Sequence, residues 1–423
     1  MRLLCIILQY PPDTNASGQL IAQLCRGLAG VGHRITVITS FPHYESFRVL
    51  PEYRNRFYSR ERGGDVEVIR LFAYAPGRKT MIHRLVSYLV FNILALITAL
   101  LLCDRWDALL CVNGSFFTGI TGWLVGTIKR AGFVYNVQDL YPDVPISAGQ
   151  LRNRLAISAL RLLETFMYRK AAHITVISPA IEAKLVARGV PQQQISTIPN
   201  FTDTRFIRPL PRLNKFASEH GLSDRFVVMH AGNLGYVYDL YTLIDAALLL
   251  SNTPEILIAI VGNGVMKSEL VKRAEALRLK NIVFLPFEPY ENLPWLRASA
   301  DIHISLYKPG AAWESFPSKI YEIMASGRAL LVGVDAESEL ARFVSDSNSG
   351  LCVAPGDSKA LAQAILRLYR DREFRRILEF NGRSRAEAAF SLDFAVAAYD
   401  QILRRVLSPK PTVPALNTVQ NYR

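Results

Sequence analysis

Cysteine is scarce in this chain: its 423 residues include five cysteines, with no Cys-x-x-Cys pair and no cluster of cysteine and histidine. Disulfide frameworks and zinc sites both need such spacing, so neither is expected. No set of histidines and carboxylates has metal-ligand spacing either, and the sequence predicts no metal and no cofactor. We expect the cysteines to be reduced, mostly buried thiols of a cytoplasmic protein.

A secretory leader is not expected at the start of the chain. Residues 1–8 contain one arginine and a short apolar run, and Tyr10-Pro11-Pro12 follows directly. This run is shorter than the apolar segment of a signal peptide and has no small-residue cleavage site. We therefore predict a first β-strand there. Internal repeats and low-complexity tracts are also missing from the sequence.

The charge is unevenly distributed along the chain. The formal net charge is +13, and residues 1–205 hold 23 Lys and Arg against 13 Asp and Glu. Basic residues are scattered rather than clustered, and no nucleic-acid-binding motif occurs, so we expect no nucleic acid partner. Peripheral contact with an anionic membrane fits the basic half better.

Hydrophobic residues make up 50% of the chain and charged residues 20%, which is typical of ordinary globular domains and allows two of them. Short apolar runs alternate with helical periodicity, which indicates an α/β fold with two Rossmann-like, doubly wound sheets. The predicted strands are residues 3–8, 35–39, 66–71, 108–112, 133–137 and 174–177, then 226–230, 256–261, 282–285, 302–306 and 329–332.

A proline-rich stretch, residues 199–211, is the predicted linker between the two domains. We expect an N-terminal Rossmann-like domain at 1–205 and a second Rossmann-like domain at 206–390. The last periodic segment, 391–407, predicts a helix. Residues 408–423 are expected to be a flexible tail.

The segment 309–327, PGAAWESFPSKIYEIMASG, carries the strongest functional pattern. Pro317 suits the first turn of a helix, which places Glu314 in the preceding loop and Glu322 within the helix. The amides of Ser318 and Lys319, the helix dipole and the lysine charge would stabilise a diphosphate there. The simpler alternative is an amphipathic helix with an apolar buried face and a solvated Lys319/Glu322 pair.

This segment resembles the E-x7-E motif of retaining glycosyltransferases with the GT-B fold, in the large family numbered four. It reads Glu314-x7-Glu322 followed by Ile-Met-Ala-Ser-Gly. The resemblance implies that Glu314 contacts the donor sugar, that Ser318 and Lys319 contact the diphosphate, and that Glu322 contacts the ribose. It also implies two Rossmann-like domains facing a central cleft and a C-terminal helix that returns to the N-terminal domain.

Three glycine-containing turns match places where this family binds its donor. Gly18 lies in the loop after the first strand, where it leaves room for a ligand or simply forms a tight turn. Gly262 and Gly264 follow another strand, where the family brings backbone amides close to the nucleotide. The third turn contains Gly232 and Asn233.

The third turn departs from the family pattern. The family usually has Gly-Arg and, five residues later, Lys, and both side chains bind the donor diphosphate. Here Asn233 and Tyr238 occupy those positions, which leaves Lys319 as the main predicted cation of the donor site.

Asp139 is the second candidate catalytic residue. Gln138 and Asp139 follow the predicted strand 133–137, so both should emerge at the ligand-binding edge of the sheet. Asp139 would orient the acceptor hydroxyl or accept its proton, or else form a turn before Pro142. In the resembling family a histidine often precedes this acid, and Gln138 replaces it here.

Residues 85–103 contain no charged side chain over nineteen residues, which is long enough to span a membrane. The segment lies between two predicted strands of one sheet, however, and a crossing would separate those strands. We expect a helix that dips into one leaflet, with Arg78, Lys79, His83 and Arg84 at the headgroups, or a fully buried core helix.

The sequence therefore predicts a metal-independent, retaining glycosyltransferase. It would move a sugar from a nucleotide-diphosphate sugar to a lipid-linked or glycan acceptor in surface-polysaccharide biosynthesis. It would bind peripherally at the inner face of the plasma membrane. The alternatives are a nucleotide-sugar epimerase of the same fold and a catalytically decayed, membrane-associated scaffold.

Overall fold

The computed structural model describes residues 1–78, 80–115, 117–143, 146, 151–311 and 317–407, and the structural statements below refer to these ranges. The chain divides into two compact units. Unit 1 is Met1–Asn200 with the segment that begins at Leu392, and unit 2 is Phe201–Ser391. The sequence placed these boundaries after residues 205 and 390. The predicted tail, 408–423, lies outside the described residues.

Eight strands form the sheet of unit 1: β1 (Arg2–Ile6), β2 (Arg34–Ser40), β3 (Tyr58–Gly63), β4 (Val66–Leu71), β5 (Ala108–Val112), β6 (Gly132–Val137), β7 (His173–Val176) and β8 (Ile195–Thr197). Their spatial order is β3-β4-β2-β1-β5-β6-β7-β8. Neighbours are parallel except β3, which runs antiparallel to β4. The order reverses beside β1, and ligands bind at such a reversal in open α/β sheets.

The helices of unit 1 before residue 200 are α1 (Ala16–Gly30), α2 (Met81–Leu101), α3 (Thr118–Lys129), α4 (Arg154–Lys170) and α5 (Pro179–Ala187). Polar side chains fix their first turns: Asn15 accepts a hydrogen bond from the Gly18 amide at 3.1 Å, and Asn153 accepts from the amide of Ala156. The apolar core lies between these helices and the sheet. The central strand β5 is fully buried and continuously apolar, because both faces of the sheet are covered.

Six parallel strands form the sheet of unit 2: β9 (Phe226–Ala231), β10 (Ile256–Val261), β11 (Ile282–Leu285), β12 (Ile302–Leu306), β13 (Ala329–Gly333) and β14 (Gly350–Val353). Their order is β11-β10-β9-β12-β13-β14. This is the Rossmann strand order, in which the direction of winding reverses between the first and fourth strands of the unit. The reversal lies between β9 and β12.

The helices of unit 2 are α6 (Lys215–Glu219), α7 (Leu240–Leu249), α8 (Lys267–Ala276), α9 (Leu293–Ala298), α10 (Lys319–Ala325), α11 (Glu339–Asp346), α12 (Ser358–Arg370) and α13 (Arg372–Ala389). The chain then enters α14 (Leu392–Leu407), which belongs to unit 1 and packs against α1. The contact is close: a Cβ on Gly27 of α1 would lie 2.3 Å from Val396 of α14.

The predicted α/β fold with two Rossmann-like units is confirmed, and each of the eleven predicted strands overlaps an observed one. The alternative of a fully buried core helix at 85–103 is wrong. The helix α2 is the one helix in the described part of the chain that is long and apolar enough to cross a membrane. Only 28% of its most apolar 18-residue stretch is buried.

Candidate active site

The carboxyl edge of the second sheet is shaped by turns that follow β9 and β10. Gly232 and Gly262 have φ angles of 147° and 139°, a region that favours glycine. A Cβ on Gly262 would lie 2.0 Å from the Gly232 carbonyl oxygen, and one on Gly264 would lie 2.4 Å from the Leu234 carbonyl oxygen. Gly262 and Gly264 are therefore required by the close approach of the two turns to each other. The family resemblance had implied that these glycines allow close approach to a nucleotide.

Lys319 reaches this edge at the reversal between β9 and β12. Its Nζ is buried, has no hydrogen-bond partner among the described residues, and lies 4.1 Å from the ring centroid of Tyr238 and 5.9 Å from that of Tyr307. An ammonium over aromatic faces is attracted by the ring quadrupoles. A Cβ on Gly232 would lie 3.9 Å from the same Nζ. The aromatic rings thus hold the lysine toward the turn that contains Gly232.

Burial has a direct effect on the Lys319 charge. Desolvation, and then the positive charge of Arg297, lowers the pKa of Lys319 to about 7, although Glu322 opposes the shift. The full positive charge expected from the sequence is therefore wrong for the unliganded protein near neutral pH. An anionic ligand would restore the charge, because it favours the protonated form.

Glu322 is paired with Arg297 rather than with Lys319. The Arg297 Nη2 donates to Glu322 Oε2 at 2.7 Å, and Arg297 is buried while Glu322 is partly exposed. The alternative of a solvated Lys319/Glu322 pair is wrong, because Lys319 Nζ is buried against Tyr238. The Glu322 Oε1 makes no hydrogen bond within the described residues, so this oxygen can accept one from a ligand hydroxyl.

The start of α10 differs from the sequence prediction. The helix begins at Lys319, with Ser318 as its N-cap residue and no side-chain cap, so Pro317 precedes the helix instead of occupying its first turn. Ser318 is partly buried, as is Pro317 before it. Glu314 lies outside the described residues. Asn233 is exposed, and the structure records no contact between it and Lys319.

His230, the last polar residue of β9, is fully buried 5.4 Å from the Tyr238 ring centroid. Desolvation, and then the charges of Lys319 and Arg297, holds the pKa of His230 well below its usual value. His230 is therefore neutral near pH 7. The positive charge of this site comes from Arg297 and, in part, from Lys319.

Unit 1 has a cavity of ≈ 230 Å³ at the carboxyl ends of β1, β5 and β6, where its strand order also reverses. Asp139 lines this cavity and is mostly buried, and burial raises the pKa of its carboxyl group. Asn113, which follows β5, donates to the Asp139 carbonyl oxygen at 2.6 Å and so fixes the loop. Tyr88, Tyr141 and Arg84 also line the cavity.

Gln138 is held by a buried hydrogen-bond network that reaches the C-terminal helix. Its Nε2 donates to Asn136 Oδ1 at 2.8 Å, and Asn136 Nδ2 donates to the hydroxyl of Tyr399 on α14 at 2.7 Å and to Thr175 at 3.1 Å. All of these groups lie in unit 1. The sequence gave no sign of this network, because its members are far apart along the chain.

Gly18 is required by the backbone that packs against it. A Cβ at this position would lie 2.6 Å from the Gln9 carbonyl oxygen, so the start of α1 lies directly against the end of β1. This contact favours the alternative in which Gly18 forms a tight turn, and ligand approach at Gly18 stays a prediction. Its neighbours Asn15 and Ser17 line the cavity, and Gly18 matters because it allows α1 to lie that close.

A buried ionic group supports the loop after Asp139. Arg188 donates to Glu164 Oε2 at 2.6 Å and also to Asp143 Oδ2, and Tyr168 donates to Glu164 Oε1 at 2.7 Å. Burial raises the pKa of Glu164 to about 7, against the lowering effect of Tyr168 and Arg188.

Comparisons with known proteins agree for the two halves of the chain. The family model described as "Glycosyl transferase 4-like domain" matches residues 16–200, and the one described as "Glycosyl transferases group 1" matches residues 213–385. WcaI of Escherichia coli (strain K12), a glycosyl transferase assigned to colanic acid biosynthesis, is 27% identical over 375 residues, which cover 86% of this chain and 91% of WcaI.

Solved structures are similar over almost the whole chain. A sucrose-phosphate synthase from Thermosynechococcus elongatus has a TM-score of 0.74 at 19% identity. The matched region covers 96% of this chain and 98% of the synthase chain. Anabaena HepE in complex with UDP-glucose has a TM-score of 0.69 at 18% identity. The matched region covers 96% of this chain and 99% of the HepE chain. At these identities the similarity shows a shared fold.

Among the described residues, no group of three or more His, Cys, Asp or Glu side chains has a geometry that could hold a metal ion. The cysteines Cys5, Cys25 and Cys111 are buried free thiols, while Cys103 and Cys352 are exposed free thiols.

Proposed function

Since the chain belongs to the glycosyltransferases of the GT-B fold, with a 4-like half and a group 1 half, we propose that it is a retaining enzyme that needs no metal. It moves a sugar from a nucleotide diphosphate to a lipid-linked or glycan acceptor in surface-polysaccharide assembly. The observation that carries the proposal is the buried Lys319 amine at the strand reversal of unit 2, which has no hydrogen-bond partner among the described residues.

The donor diphosphate binds at Lys319 in this proposal. Tyr238 and Tyr307 position the amine and carry no negative charge, so a phosphate oxygen can bind it and favour its protonated form. Glu322 is oriented by Arg297 and offers Oε1 to a ribose hydroxyl. Glu314 acts on the donor sugar, as the E-x7-E resemblance implies. The complex of HepE with UDP-glucose supports a nucleotide sugar as the donor class.

The acceptor hydroxyl binds in the cavity of unit 1, where Asp139 accepts its hydrogen bond. The raised pKa of Asp139 makes it a better proton acceptor than an ordinary aspartate. Retention follows if donor and acceptor react on one face of the sugar: the acceptor oxygen bonds to the anomeric carbon, the bond to the diphosphate breaks, and the acceptor proton passes to Asp139. The protein then contributes positioning and charge stabilisation.

Membrane contact is proposed at α2. Its buried face contains Ser87, Phe91 and Asn92, and Asn92 donates to Ser115 and accepts from Thr121, which fixes the rotation of the helix. The opposite face exposes a row of large apolar side chains: Ile82, Leu85, Leu89, Ile93, Ile97 and Leu101. Such a face binds one leaflet while the buried face stays packed on the protein. The protein would work at the cytoplasmic side of the plasma membrane.

The role in surface-polysaccharide assembly is supported by WcaI, whose assignment is to colanic acid biosynthesis. The test is a transfer assay with α-linked nucleotide sugars and membrane lipid acceptors, in which ¹H NMR reports the anomeric configuration of the product. We expect an α-linked product in the presence and absence of EDTA. The Glu314→Gln variant serves as the low-turnover control.

A β-linked product would contradict retention. Activity that EDTA abolishes and a divalent ion restores would contradict metal independence. Release of an epimerised nucleotide sugar with no transfer would replace the proposal by the epimerase alternative.

A further inference from the structure

Helix α4 has an exposed face that the proposed function does not use. Leu155 is 84% exposed and Leu162 is 74% exposed, and the two lie seven residues apart, on the same side of the helix. Its fully buried residues, Glu164, Met167 and Tyr168, all belong to the C-terminal half. The N-terminal half of α4 therefore presents leucines to the surroundings of unit 1.

The charges on this helix are of one sign at the surface. Exposed basic residues surround the two leucines: Arg152 and Arg154 before them, and Arg161, Arg169 and Lys170 beside or after them. Glu164 is the one acidic residue in α4, and it is buried against Arg188 and Tyr168. An apolar surface with a basic rim is complementary to an anionic lipid bilayer.

Helix α3 connects α4 to α2. It packs against both α2 and α4. Glycines allow the close contact: a Cβ on Gly119 would lie 2.7 Å from Met167 Sδ of α4, and one on Gly122 would lie 2.5 Å from Cys111 of the sheet. Ile128 of α3 is 59% exposed. Neither α2 nor α3 contains an acidic residue.

An aromatic and cationic group joins α3 to α4. Trp123 and Phe166 meet edge to face with centroids 4.9 Å apart, and Lys170 Nζ lies 5.8 Å and 5.6 Å from their centroids. Tryptophan and lysine are the side chains that anchor proteins at the headgroup level of a bilayer.

We propose that α2, α3 and α4 form one lipid-binding surface on unit 1 and that α4 is its second membrane anchor, with an anionic bilayer as the partner. This inference rests on the proposed membrane contact of α2 and extends it to a helix with a different charge pattern. The α2 contact is mainly apolar, whereas the α4 contact combines two leucines with basic side chains.

The test is flotation of the full-length protein with vesicles that contain phosphatidylglycerol and with vesicles of phosphatidylcholine alone. The apolar variant is Leu155→Gln with Leu162→Gln, since glutamine preserves helix propensity. The charge variant is Arg154→Glu with Arg169→Glu. The matched controls are the exposed Leu213→Gln and Lys272→Glu, both in unit 2.

We expect the apolar variant to bind phosphatidylglycerol vesicles at least tenfold more weakly at low and at high salt. The charge variant should lose roughly fivefold per basic residue removed at low salt, and less at high salt, because salt screens the attraction. The controls should bind like the wild type. Melting temperatures should be unchanged in all variants, because the substituted side chains are exposed.

Wild-type binding by both α4 variants would overturn the inference. If the α2 variants described below lose binding while the α4 variants keep it, the membrane contact of the proposed function stands and this inference alone fails. If sedimentation shows a dimer that Leu155→Gln with Leu162→Gln dissociates, and vesicle binding is unchanged, the face is occupied by a second copy and the inference is wrong. Stabilisation by nucleotide sugars, measured in the same variants, reports donor binding independently.

Discussion

At the residue scale, Lys319 shows how a site can keep a cation without the pair of basic side chains that the resembling family has. Tyr238 occupies the position where that family has lysine, and its ring lies 4.1 Å from Lys319 Nζ. Arg297, from α9, pairs with Glu322. The charge of the proposed donor site is thus supplied by α9 and α10 instead of the turn after β9.

Replacing Lys319 by methionine should weaken nucleotide-sugar binding roughly 10- to 150-fold, the equivalent of about 1.5–3 kcal/mol for a lost charged hydrogen bond. Glu322→Gln should weaken binding less, because the amide oxygen still accepts from Arg297. Isothermal titration calorimetry measures both, with the exposed Lys272→Met as the control. Equal donor affinity in the Lys319→Met and wild-type proteins would show that the phosphates bind elsewhere.

Donor affinity should fall as the pH rises through the pKa of Lys319, which is about 7 in the unliganded protein. Below that pH the amine is already charged, and above it binding must take up a proton, so affinity decreases by up to tenfold per pH unit. The diphosphate of a nucleotide sugar is a diester and does not titrate in this range. Burial holds the pKa of His230 well below its usual value, so His230 stays neutral over this range.

The same titration checks the assignment. In Lys319→Arg the charge is permanent, and the affinity should be independent of pH between about 6 and about 8. A pH-independent affinity in the wild-type protein would contradict the role of the buried amine.

The sequence identified the residues at the proposed donor site but not how they interact. Glu322 and Lys319 were indicated because they lie close together in one motif. Arg297 was not, because it comes from another helix and meets Glu322 only through tertiary packing. The network of Gln138, Asn136 and Tyr399 escaped prediction for the same reason.

At the scale of elements, the membrane contact proposed for α2 depends on which of its apolar residues are exposed. The triple substitution of Leu89, Ile93 and Ile97 by glutamine should reduce vesicle binding in a flotation assay without lowering the melting temperature, since all three are exposed. Leu96→Gln is the matched control, because Leu96 packs against the core. It should lower the melting temperature instead.

The opposite pattern would contradict the membrane role of α2. If the triple variant unfolds and wild-type protein ignores anionic vesicles at low salt, the exposed row contacts protein, not lipid. Lys79, one of the basic residues expected at the headgroups, lies outside the described part of the chain.

The C-terminal helix α14 is expected to affect the acceptor side through Tyr399. Tyr399→Phe removes the hydroxyl that accepts from Asn136 and leaves the buried ring in place. Gln138, which Asn136 holds, should then be less ordered in the cavity. Steady-state kinetics should show a raised KM for the acceptor with donor affinity unchanged. An unchanged acceptor KM, or an equal loss of donor affinity, would disprove the link.

Three strands were missed by the sequence analysis for physical reasons. β3 has the charged sequence YSRERG on the sheet edge, so it lacks an apolar pattern. β8 has three residues. β14 has four residues and is an edge strand of the sheet of unit 2. Central strands are apolar on both faces and are recognised easily, whereas edge strands depend on their neighbour for pairing.

At the scale of the whole molecule, each unit places its proposed site where its strand order reverses. In unit 1 this is the cavity beside β1 and β5, and in unit 2 it is the edge between β9 and β12, where Lys319 lies. The sequence could predict this because two series of βαβ units determine two parallel sheets. It could not predict which glycines serve the fold, since Gly18 and Gly262 are explained by contacts with distant backbone atoms.

The central claim is that this chain binds a nucleotide-diphosphate sugar at Lys319 and uses it as a glycosyl donor. Thermal unfolding of the wild-type and Lys319→Met proteins in the presence of UDP-, GDP-, ADP- and TDP-sugars tests it most directly. We predict that at least one nucleotide sugar stabilises the wild type by about 2.7 kcal/mol at 100 times its dissociation constant. The same concentration should stabilise Lys319→Met far less. The claim is contradicted if none of the four classes stabilises the wild type, or if the variant is stabilised equally.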